Sequence, residues 1–319
     1  MRRRATVFAS VVAVAAVALS VFVGGTPAGA SQPKYPVPYT FLTSALGAGL
    51  NVDADPPGSN IWTCQPSAAH PEPVVLVHGL SGNKNTNWQT FSPLLANNGY
   101  CVFALTYGVA PGTPLPFSQL GGVTAMESSA KQLSAFVAKV LAATHAHKVD
   151  ILGHSEGTQM PDYYAKFLGG AAKIDKYVSL APIWHGTNPL GLATLSRLGA
   201  TYGSIAIVNG VFAPFFAAGP DLLTGSAFYV KLRSGGTPAV RGITYTNIVT
   251  KYDELVQPYT SGIEPGMRNI VLQNQCGLDF TEHFQIVADP VAAADVLNAL
   301  DPAHPRPVPC RLVLPFVGG

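Results

Sequence analysis

Residues 149–158 read Val-Asp-Ile-Leu-Gly-His-Ser-Glu-Gly-Thr, and this stretch decides the fold. An apolar run ends in a glycine, and a serine between two glycines leads into a helical pattern, which is G-x-S-x-G in the context that the motif requires. A serine hydroxyl is a weak nucleophile, so it needs a tight turn that presents it to a base and to backbone N–H groups. Ser155 is therefore the predicted nucleophile. The competing interpretation is a chance match on a glycine-rich surface turn.

The chain around this motif alternates between strand and helix patterns. Strands are predicted at residues 73–78, 100–107, 148–154, 176–180, 241–249 and 269–272, and helices at 87–97, 125–143, 158–168 and 290–300. Such alternation produces right-handed crossovers, so the predicted class is α/β with a mostly parallel central sheet and helices on both faces. The functional site is then expected at the carboxyl ends of the strands. Residues 31–71, rich in proline, glycine and asparagine, are expected to have little regular structure.

The N-terminal residues have the pattern of a secretory signal peptide. Three arginines at positions 2–4 precede an apolar run over residues 5–23, and residues 26–30 end in the small-x-small pattern of a cleavage site. We expect cleavage after Ala30, with an uncleaved membrane anchor as the alternative. Residues 31–319 are predicted to form a single domain, since no linker divides them.

The predicted mature chain is almost neutral. Without the three leader arginines, sixteen basic residues face seventeen acidic ones, a net charge near −1 that gives no indication of a nucleic-acid partner. Apolar residues make up 48% of the whole chain and charged residues 11%, which predicts apolar surface that is exposed or covered by a mobile element.

The four cysteines of the chain are an even number in a predicted exported protein, which indicates two disulfide bonds. Cys64 lies just before the first predicted strand and Cys101 starts the second, so both belong at the same edge of a parallel sheet. We predict the bond Cys64–Cys101 and, from the remaining pair, Cys276–Cys310. A zinc site is the competing interpretation, but no C-x-x-C spacing supports it.

The alternation breaks at residues 187–236. This segment is rich in leucine, isoleucine, valine and phenylalanine and has only a handful of charges. A structureless loop of this length is unusual unless it is functional. We predict short helices that form a cap or lid over the site, and additional core helices are the alternative.

In this fold type the acid follows the nucleophile and the histidine comes last in chain order. Only His283 and His304 lie far enough downstream, and His304 stands in a rigid, exposed Ala-His-Pro-Arg-Pro run. His283 follows a predicted strand and precedes the last helix, where the loop of the base is expected. As general base it would take the proton of Ser155 and later pass it to the leaving alcohol. A surface histidine is the alternative.

Asp253 is the predicted acid. It follows the strand at 241–249 within Thr-Lys-Tyr-Asp-Glu, so its carboxylate belongs at the carboxyl edge of the sheet. Its role would be to hold His283 in one tautomer and to stabilise the imidazolium. Glu254 is the fallback. Asp279 is nearer to His283 in sequence, but proximity within one loop is no evidence of a hydrogen bond.

Two backbone donors are needed to receive an oxyanion. We assign them to the N–H of Glu156, at the start of the helix after the serine, and to the N–H of Leu80, in the His78-Gly79-Leu80 loop after the first strand. His78 is expected to order this loop rather than to take part in the chemistry. The Glu156 carboxylate is unusual beside a nucleophile. It is either favoured at the helix N-terminus or raises the pKa of the histidine base by attraction.

Five stretches carry a family resemblance. They are Val-Leu-Val-His-Gly-Leu at 75–80, Gly-His-Ser-Glu-Gly at 153–157, Leu-Ala-Pro and His-Gly-Thr within 180–187, Thr-Asn-Ile and Tyr-Asp-Glu-Leu-Val-Gln-Pro within 246–258, and Gln-Cys-Gly and Glu-His-Phe within 275–284. With them the chain resembles the α/β-hydrolases, and more narrowly the secreted bacterial class 2 lipases and the Candida antarctica lipase B type.

This resemblance has consequences for the site. The Asp-Glu-Leu-Val-Gln-Pro segment is its most specific part, because the acid of such lipases lies at the first residue, here Asp253. The resemblance also implies a Cys276–Cys310 bond, no metal and a small or mobile lid. The chain departs from the family at Glu156, where glutamine or methionine is usual, and at His78, where lipase B has proline.

The predicted function is a secreted serine carboxylic-ester hydrolase, a lipase or esterase that acts on triacylglycerols or other acyl esters through an acyl-enzyme on Ser155. The alternatives are an extracellular polyester hydrolase, a catalytically silent secreted binding protein, and a serine peptidase or acyltransferase on the same machinery. We expect a monomer without cofactor, nucleic-acid partner or lasting membrane anchor, whose ester substrate is available in solution or at a lipid–water interface.

Overall fold

A computed structural model of the chain describes residues 35–188 and 218–319. The predicted signal peptide, residues 1–30, and residues 189–217 of the predicted cap lie outside this part of the chain. The described residues contain a six-stranded sheet with apolar cores and helices on both of its faces. The predicted α/β class is therefore confirmed.

The sheet is parallel throughout, with the strand order β2-β1-β3-β4-β5-β6. The strands are β1 (Val74–Val77), β2 (Val102–Leu105), β3 (Val149–His154), β4 (Ile174–Leu180), β5 (Thr244–Val249) and β6 (Arg268–Val271). The chain first moves from β1 outward to β2 and then crosses back to β3 on the other side of β1. This reversal leaves a crevice at the carboxyl ends of β1 and β3, the place where α/β sheets bind ligands.

The helices among the described residues are α1 (Phe41–Gly49), α2 (Lys84–Asn87), α3 (Phe91–Asn97), α4 (Met126–Thr144), α5 (Met160–Phe167), α6 (Ala227–Leu232), α7 (Leu272–Gln275) and α8 (Pro290–Leu300). Of the segment predicted as one helix at 87–97, residues Phe91–Asn97 form α3, and Asn87 is the last residue of α2. The helix predicted at 290–300 has the bounds of α8.

Side chains of β1 alternate between two cores. Val75 and Val77 enter the core that contains residues of α4 and α5, whereas Val74 and Leu76 enter the core that contains residues of α3 and α8. All four side chains are fully buried. A strand covered on both faces needs an unbroken apolar run, which is why this part of the sequence has no polar alternation.

One expectation about the N-terminal part of the domain holds only in part, because a helix interrupts the otherwise irregular segment. Helix α1 lies within residues 31–71, where little regular structure is expected from the composition. Its glycines and threonine are weak helix formers, so local propensity does not predict it. The ring of Phe41 stacks on that of Phe284, with centroids 5.6 Å apart, and the Phe41 N–H donates to Gln285 Oε1 at 3.0 Å. These contacts with distant residues hold the first turn.

Both predicted disulfide bonds are present, so all four cysteines of the chain are bonded. The Cα atoms of Cys64 and Cys101 are 5.8 Å apart, and those of Cys276 and Cys310 are 5.0 Å apart. The first bond attaches the segment before β1 to the residue before β2, and the second attaches the C-terminal tail to the end of α7. Within residues 35–188 and 218–319, no helix is long and apolar enough to cross a membrane.

Candidate active site

Ser155 stands directly after β3, at the start of a turn of 3-10 helix, Ser155–Thr158, that leads into α5. Its φ of 55° lies in the left-handed region, which a residue with a side chain rarely adopts. A Cβ at Gly153 would lie 2.0 Å from the carbonyl oxygen of Gly157, and one at Gly157 would lie 2.2 Å from that of Val77. Only glycine fits at either flank, so the sharp turn requires both.

The structure brings Ser155, His283 and Asp253 together from distant parts of the chain. The distance between His283 Nε2 and Ser155 Oγ is 2.9 Å, and His283 Nδ1 lies 2.9 Å from each carboxylate oxygen of Asp253. All three residues are buried. The arrangement has the two hydrogen bonds that allow an imidazole to accept a serine proton while a carboxylate fixes its tautomer.

Asp253 is oriented by its own loop after β5. Its Oδ1 accepts the N–H groups of Leu255 and Val256 at 3.0 and 2.7 Å. Glu254, the fallback acid, accepts the main-chain N–H of His283 at 3.2 Å and makes no hydrogen bond with its imidazole. The Asp279 carboxylate accepts the N–H of Thr281 and makes no hydrogen bond with the imidazole.

His304, the other downstream histidine, is far from buried. Its side chain is 81% exposed and pairs with Asp301 at 3.0 Å. A histidine in such a place is not shielded from water, and no hydrogen bond connects it to Ser155. Of the two histidines considered from the sequence, the structure therefore places only His283 beside the serine.

Two opposing effects set the protonation of His283. Burial alone would lower the pKa of this imidazole, but the negative charge and hydrogen bond of Asp253, together with the charges of Glu254 and Glu282, raise its pKa above the ordinary value. The environment therefore favours the imidazolium, which is the form that appears when the ring accepts a proton.

Of the two predicted oxyanion donors, Glu156 directly follows the nucleophile, and Leu80 belongs to a loop that lies against it. A Cβ at Gly79 would lie 3.0 Å from Ser155 Cβ, so the loop that carries Leu80 passes directly over the serine. Within the described residues, neither the N–H of Leu80 nor that of Glu156 donates a hydrogen bond. Both donors are available to a substrate oxygen.

His78 orders this loop through contacts of its ring. Nδ1 lies 2.8 Å from the carbonyl oxygen of Gly79, and Nε2 accepts the N–H of Tyr107 at 3.2 Å. The ring also stacks on that of Tyr107, with centroids 4.2 Å apart. Burial lowers the pKa of His78 to about 4, so the ring is neutral and its single N–H points back to Gly79. This neutral, enclosed ring makes no hydrogen bond with Ser155.

The side chain of Glu156 differs from the expectation of a carboxylate at a helix N-terminus. It is fully buried, and neither carboxyl oxygen has a hydrogen-bond partner within the described residues. Burial raises the pKa of Glu156 well above its usual value, which favours the neutral acid. A neutral acid exerts no charge attraction on His283, and the charges that raise the pKa of His283 come from Asp253 and its neighbours.

Sequence reasoning missed His154, the residue before the nucleophile. Its Nε2 lies 3.0 Å from the carbonyl oxygen of His283, and its Nδ1 lies 3.0 Å from the side-chain oxygen Oδ1 of Asn87. Burial lowers the pKa of His154 well below its ordinary value, so this ring is neutral too. His154 thus supports the main chain of the base, a role that its position in the motif does not reveal.

Thr187 and Glu282 also support the site without having been predicted. Thr187 Oγ1 donates to the carbonyl oxygen of Leu255 at 2.5 Å and accepts the N–H of Gln257 at 2.9 Å, which fixes the loop of Asp253. Glu282 accepts the N–H groups of the two residues after His283. The His-Gly-Thr and Glu-His-Phe stretches are the only sequence signals that pointed to these positions.

The described residues include one group of acidic side chains with metal-ligand spacing, namely Glu72, Asp150 and Asp175. Asp150 and Asp175 lie near the amino ends of β3 and β4, at the opposite edge of the sheet from Ser155. The ammonium of Lys176 lies 3.6, 3.5 and 3.0 Å from the three carboxylates. The ammonium of Lys148 also lies 3.2 Å from Asp175, so two lysines pair with this group, which indicates a structural ion-pair network.

Residues 71–295 match the family model that describes class 2 lipases. The chain belongs to the class 2 lipase family. The match begins just before β1 and ends within α8, so it includes all six strands as well as Ser155, Asp253 and His283. Membership of this family confirms the resemblance found in the sequence.

Solved lipase structures resemble this class 2 lipase in fold. Aspergillus fumigatus lipase B is 20% identical with a TM-score of 0.57, and the match covers 80% of this chain and 57% of that one. A Bacillus licheniformis lipase matches in its propeptide form (15% identity, TM-score 0.54, 78% of this chain and 54% of that one) and in its mature form (17%, 0.52, 72% and 91%). The chain thus spans little more than half the length of the first two structures. At these identities the likeness is one of fold.

Proposed function

We propose that this class 2 lipase is a secreted serine hydrolase of carboxylic esters, a lipase or esterase that acts on triacylglycerols or other acyl esters through an acyl-enzyme on Ser155. The observation that carries the proposal is the continuous line of hydrogen bonds from Asp253 through His283 to Ser155, in which each link is 2.9 Å. Family membership supports the ester as the bond that is cleaved.

In the first half-reaction His283 Nε2 accepts the hydroxyl proton of Ser155 while Oγ attacks the carbonyl carbon of the ester. The carbonyl oxygen becomes an oxyanion that the N–H groups of Leu80 and Glu156 receive. When the tetrahedral intermediate collapses, the bond between the carbonyl carbon and the alcohol oxygen breaks, and that oxygen takes the proton from His283. The acyl group remains on Ser155 and the alcohol leaves.

The second half-reaction uses the same groups with water as the nucleophile. His283 takes one proton from the water as its oxygen attacks the acyl carbon, and the oxyanion returns to the same two N–H donors. Collapse breaks the bond to Ser155 Oγ, which recovers its proton from His283. The products are the free carboxylic acid and the enzyme in its starting state.

Two disulfide bonds in the described domain support secretion. Such bonds persist in oxidising compartments and are rare in the cytosol. They join segments separated by 37 and 34 residues, so the domain depends on them structurally. The predicted signal peptide is the route by which the chain would be exported.

Exposed apolar side chains on α1 support action at a lipid–water interface. Two leucines of this helix, Leu42 and Leu46, are 46% and 65% exposed, and Leu50, directly after the helix, is 85% exposed. Residues 35–52 contain no Asp, Glu, Lys or Arg. The Phe41–Phe284 stack attaches α1 to the residue after His283, so this apolar surface adjoins the loop of the base. Exposed clusters of this kind mark contact with apolar partners.

The proposal is tested with Ser155→Ala. We expect this variant to retain the unfolding midpoint of the wild type within a few degrees but to lose hydrolysis of p-nitrophenyl butyrate, because the acyl-enzyme cannot form. A fluorophosphonate should label the wild type and not the variant. Retained turnover would contradict the role of Ser155. A wild type that neither hydrolyses esters nor reacts with the probe would instead be a silent binding protein.

The interfacial part of the proposal is tested with the double variant Leu46→Gln/Leu50→Gln. We expect at least a fivefold lower rate on emulsified tributyrin, because the variant loses apolar area for adsorption, with little change on dissolved p-nitrophenyl acetate. Ile61→Gln is the control, since Ile61 is also exposed (42%) but lies next to the edge strand β2. Equal losses on both substrates, or an equal loss in the control, would contradict an adsorption role.

A further inference from the structure

The carboxyl group of Glu156 belongs to the residue after the nucleophile, and the mechanism above does not use it. The residue contributes its N–H as an oxyanion donor, while its side chain turns into the protein and is completely buried. A Cβ at Gly122 would lie 3.1 and 3.3 Å from the two carboxyl oxygens and 3.2 Å from the Cα of Leu80. The carboxyl therefore packs, across Gly122, next to the backbone that carries the second donor.

The absence of a free hydrogen-bond donor on the nearby Tyr107 hydroxyl favours the protonated form of this carboxyl group. The nearby hydroxyl of Tyr107 donates its single proton to the carbonyl oxygen of His78, at 2.7 Å. Tyr107 can thus offer Glu156 only a lone pair, and a carboxylate has no proton to place there. A carboxylic acid has one. A hydrogen bond between the two groups is possible only if Glu156 supplies it.

The other ionisable groups that face Glu156 among the described residues include no cation. They are Tyr107, which follows β2, Tyr229 on α6, and Asp221 in the turn before α6. The Tyr229 hydroxyl is buried without a hydrogen-bond partner among the described residues. Burial of an unpaired carboxylate is costly. Burial raises the pKa of Glu156 well above its usual value, in agreement with the absence of a free donor on Tyr107.

We propose that the Glu156 side chain is a positioning residue that works as a neutral carboxylic acid and supports both oxyanion donors, so that its ionisation inactivates the site. This inference rests on the proposed serine hydrolysis. A protonated Glu156 can donate to the nearby Tyr107 hydroxyl, Tyr107 donates to the His78 carbonyl, and the His78 ring holds the turn before Leu80. One chain of contacts thus connects the residue of the first donor to the loop of the second.

Ionisation of Glu156 would weaken the oxyanion site at both donors. The carboxylate would repel the oxyanion that its own N–H receives, since no cation lies between them. The carboxylate would also lack the proton for Tyr107, which loosens the support of the Leu80 loop. Activity should therefore fall on the alkaline side as Glu156 loses its proton, while protonation of His283 accounts for the acid side.

The experiment compares the wild type with Glu156→Gln, whose amide is neutral at every pH and can donate to Tyr107. We measure kcat/KM for p-nitrophenyl butyrate from pH 7 to 10.5 and normalise each enzyme to its own value at pH 7.5. The wild type should lose at least tenfold toward pH 10.5, and the variant should retain its activity within threefold. Glu127→Gln, at a partly exposed glutamate in the first turn of α4, should follow the wild type. Superimposable profiles of wild type and Glu156→Gln would overturn the proposal.

A second measurement does not depend on hydrolysis. In a Ser155→Ala background at pH 8, infrared spectra should contain a carbonyl band of a protonated carboxyl that disappears with Glu156→Gln. Burial raises the pKa of Asp150, Asp162 and Asp289 only to about 7, so these buried acids are mostly ionised at that pH. Absence of the band would overturn the proposal that Glu156 is protonated. If the band is present but the wild type hydrolyses no ester, the proposed function fails and the protonation of Glu156 stands.

Discussion

Charge pairing around one buried imidazole decides what the site can do at the residue scale. His283 is 2% exposed, and burial by itself would lower its pKa and favour the neutral imidazole. Asp253 reverses that tendency with two contacts of 2.9 Å to Nδ1. The imidazolium formed during catalysis is stabilised by that carboxylate, whereas the resting base is neutral only above its own raised pKa.

Asp253→Asn should therefore change both the rate and its pH dependence. We expect kcat to fall by about 10³- to 10⁴-fold, because the amide does not hold the correct tautomer of His283. Removal of the negative charge lowers the pKa of His283, so the acid side of the kcat/KM profile should move to lower pH. The profile is measured on a dissolved ester between pH 4.5 and 8.

Glu254→Gln serves for comparison with this variant. Glu254 contacts the main-chain N–H of His283 and contributes a smaller part of the raised pKa, so we expect less than a tenfold loss in kcat and a smaller displacement in the same direction. If Glu254→Gln costs as much as Asp253→Asn, the assignment of the acid is wrong.

At the scale of secondary-structure elements, each working group stands beyond the carboxyl end of a different strand. The Leu80 loop follows β1, Ser155 follows β3, the Asp253 loop follows β5, and His283 follows β6 and α7. The parallel sheet brings these ends to one edge, and helices then hold the loops in place. The helix after the nucleophile, α5, does so through Lys166. Its Nζ donates to the carbonyl oxygens of Leu232, Ser234 and Thr237 at 2.7, 2.7 and 2.8 Å, which joins α5 to the end of α6.

Lys166→Met should separate these two helices. The methionine preserves much of the apolar stem but leaves three carbonyl oxygens without their charged donor. We expect the free energy of unfolding to fall by about 2 kcal/mol, the range of a hydrogen bond to a charged group, as measured by urea denaturation. Lys173→Met, in the turn after α5, is the control, because the Lys173 ammonium has no hydrogen bond or ion pair with the described residues. An equal loss of stability in both variants would contradict the proposed role of Lys166 in joining α5 to the end of α6.

Over the whole molecule, the C-terminal tail completes the loop of the base. The N–H of Phe280 donates to the carbonyl oxygen of Val313 at 2.9 Å, and that of Phe316 donates to Glu282 Oε1 at 3.0 Å. Cys310 attaches this tail to the end of α7. The other disulfide bond, Cys64–Cys101, lies at the far end of the sheet, where β1 and β2 begin. The two bonds close loops of similar length but stand at opposite ends of the strands.

Removal of each bond should therefore have similar effects on stability and different effects on catalysis. Cys64→Ser/Cys101→Ser and Cys276→Ser/Cys310→Ser should each cost about 4 kcal/mol of unfolding free energy by the chain-entropy relation, for separations of 37 and 34 residues. Only the second pair of substitutions should lower kcat at 20 °C while the protein is still folded, since only that bond holds the His283 loop. Equal kcat values in the two variants would contradict this division.

Much of the fold was accessible from local patterns. The run at β1 is apolar at every position because both faces are covered, and α4 has apolar residues at helical spacing because one face is buried. Each strand lies within three residues of its predicted bounds. Helix α1 was not predicted, because contacts with Phe284 and Gln285, more than 240 residues away, stabilise a stretch that is locally a poor helix. Local propensity contains no information about such partners.

The sequence by itself determined which residues are able to act: a serine between two glycines, and an acid and a histidine placed after strands in the order that this fold needs. Those choices are local, because a turn that admits only glycine and a strand buried on both faces restrict the residue types at each position. Only the tertiary structure decided that Asp253 rather than Glu254 meets the imidazole, that His154 and Thr187 support the loops, and that the Glu156 side chain is buried. Hydrogen bonding and burial depend on which distant segments come into contact, and that is settled only when the chain has packed.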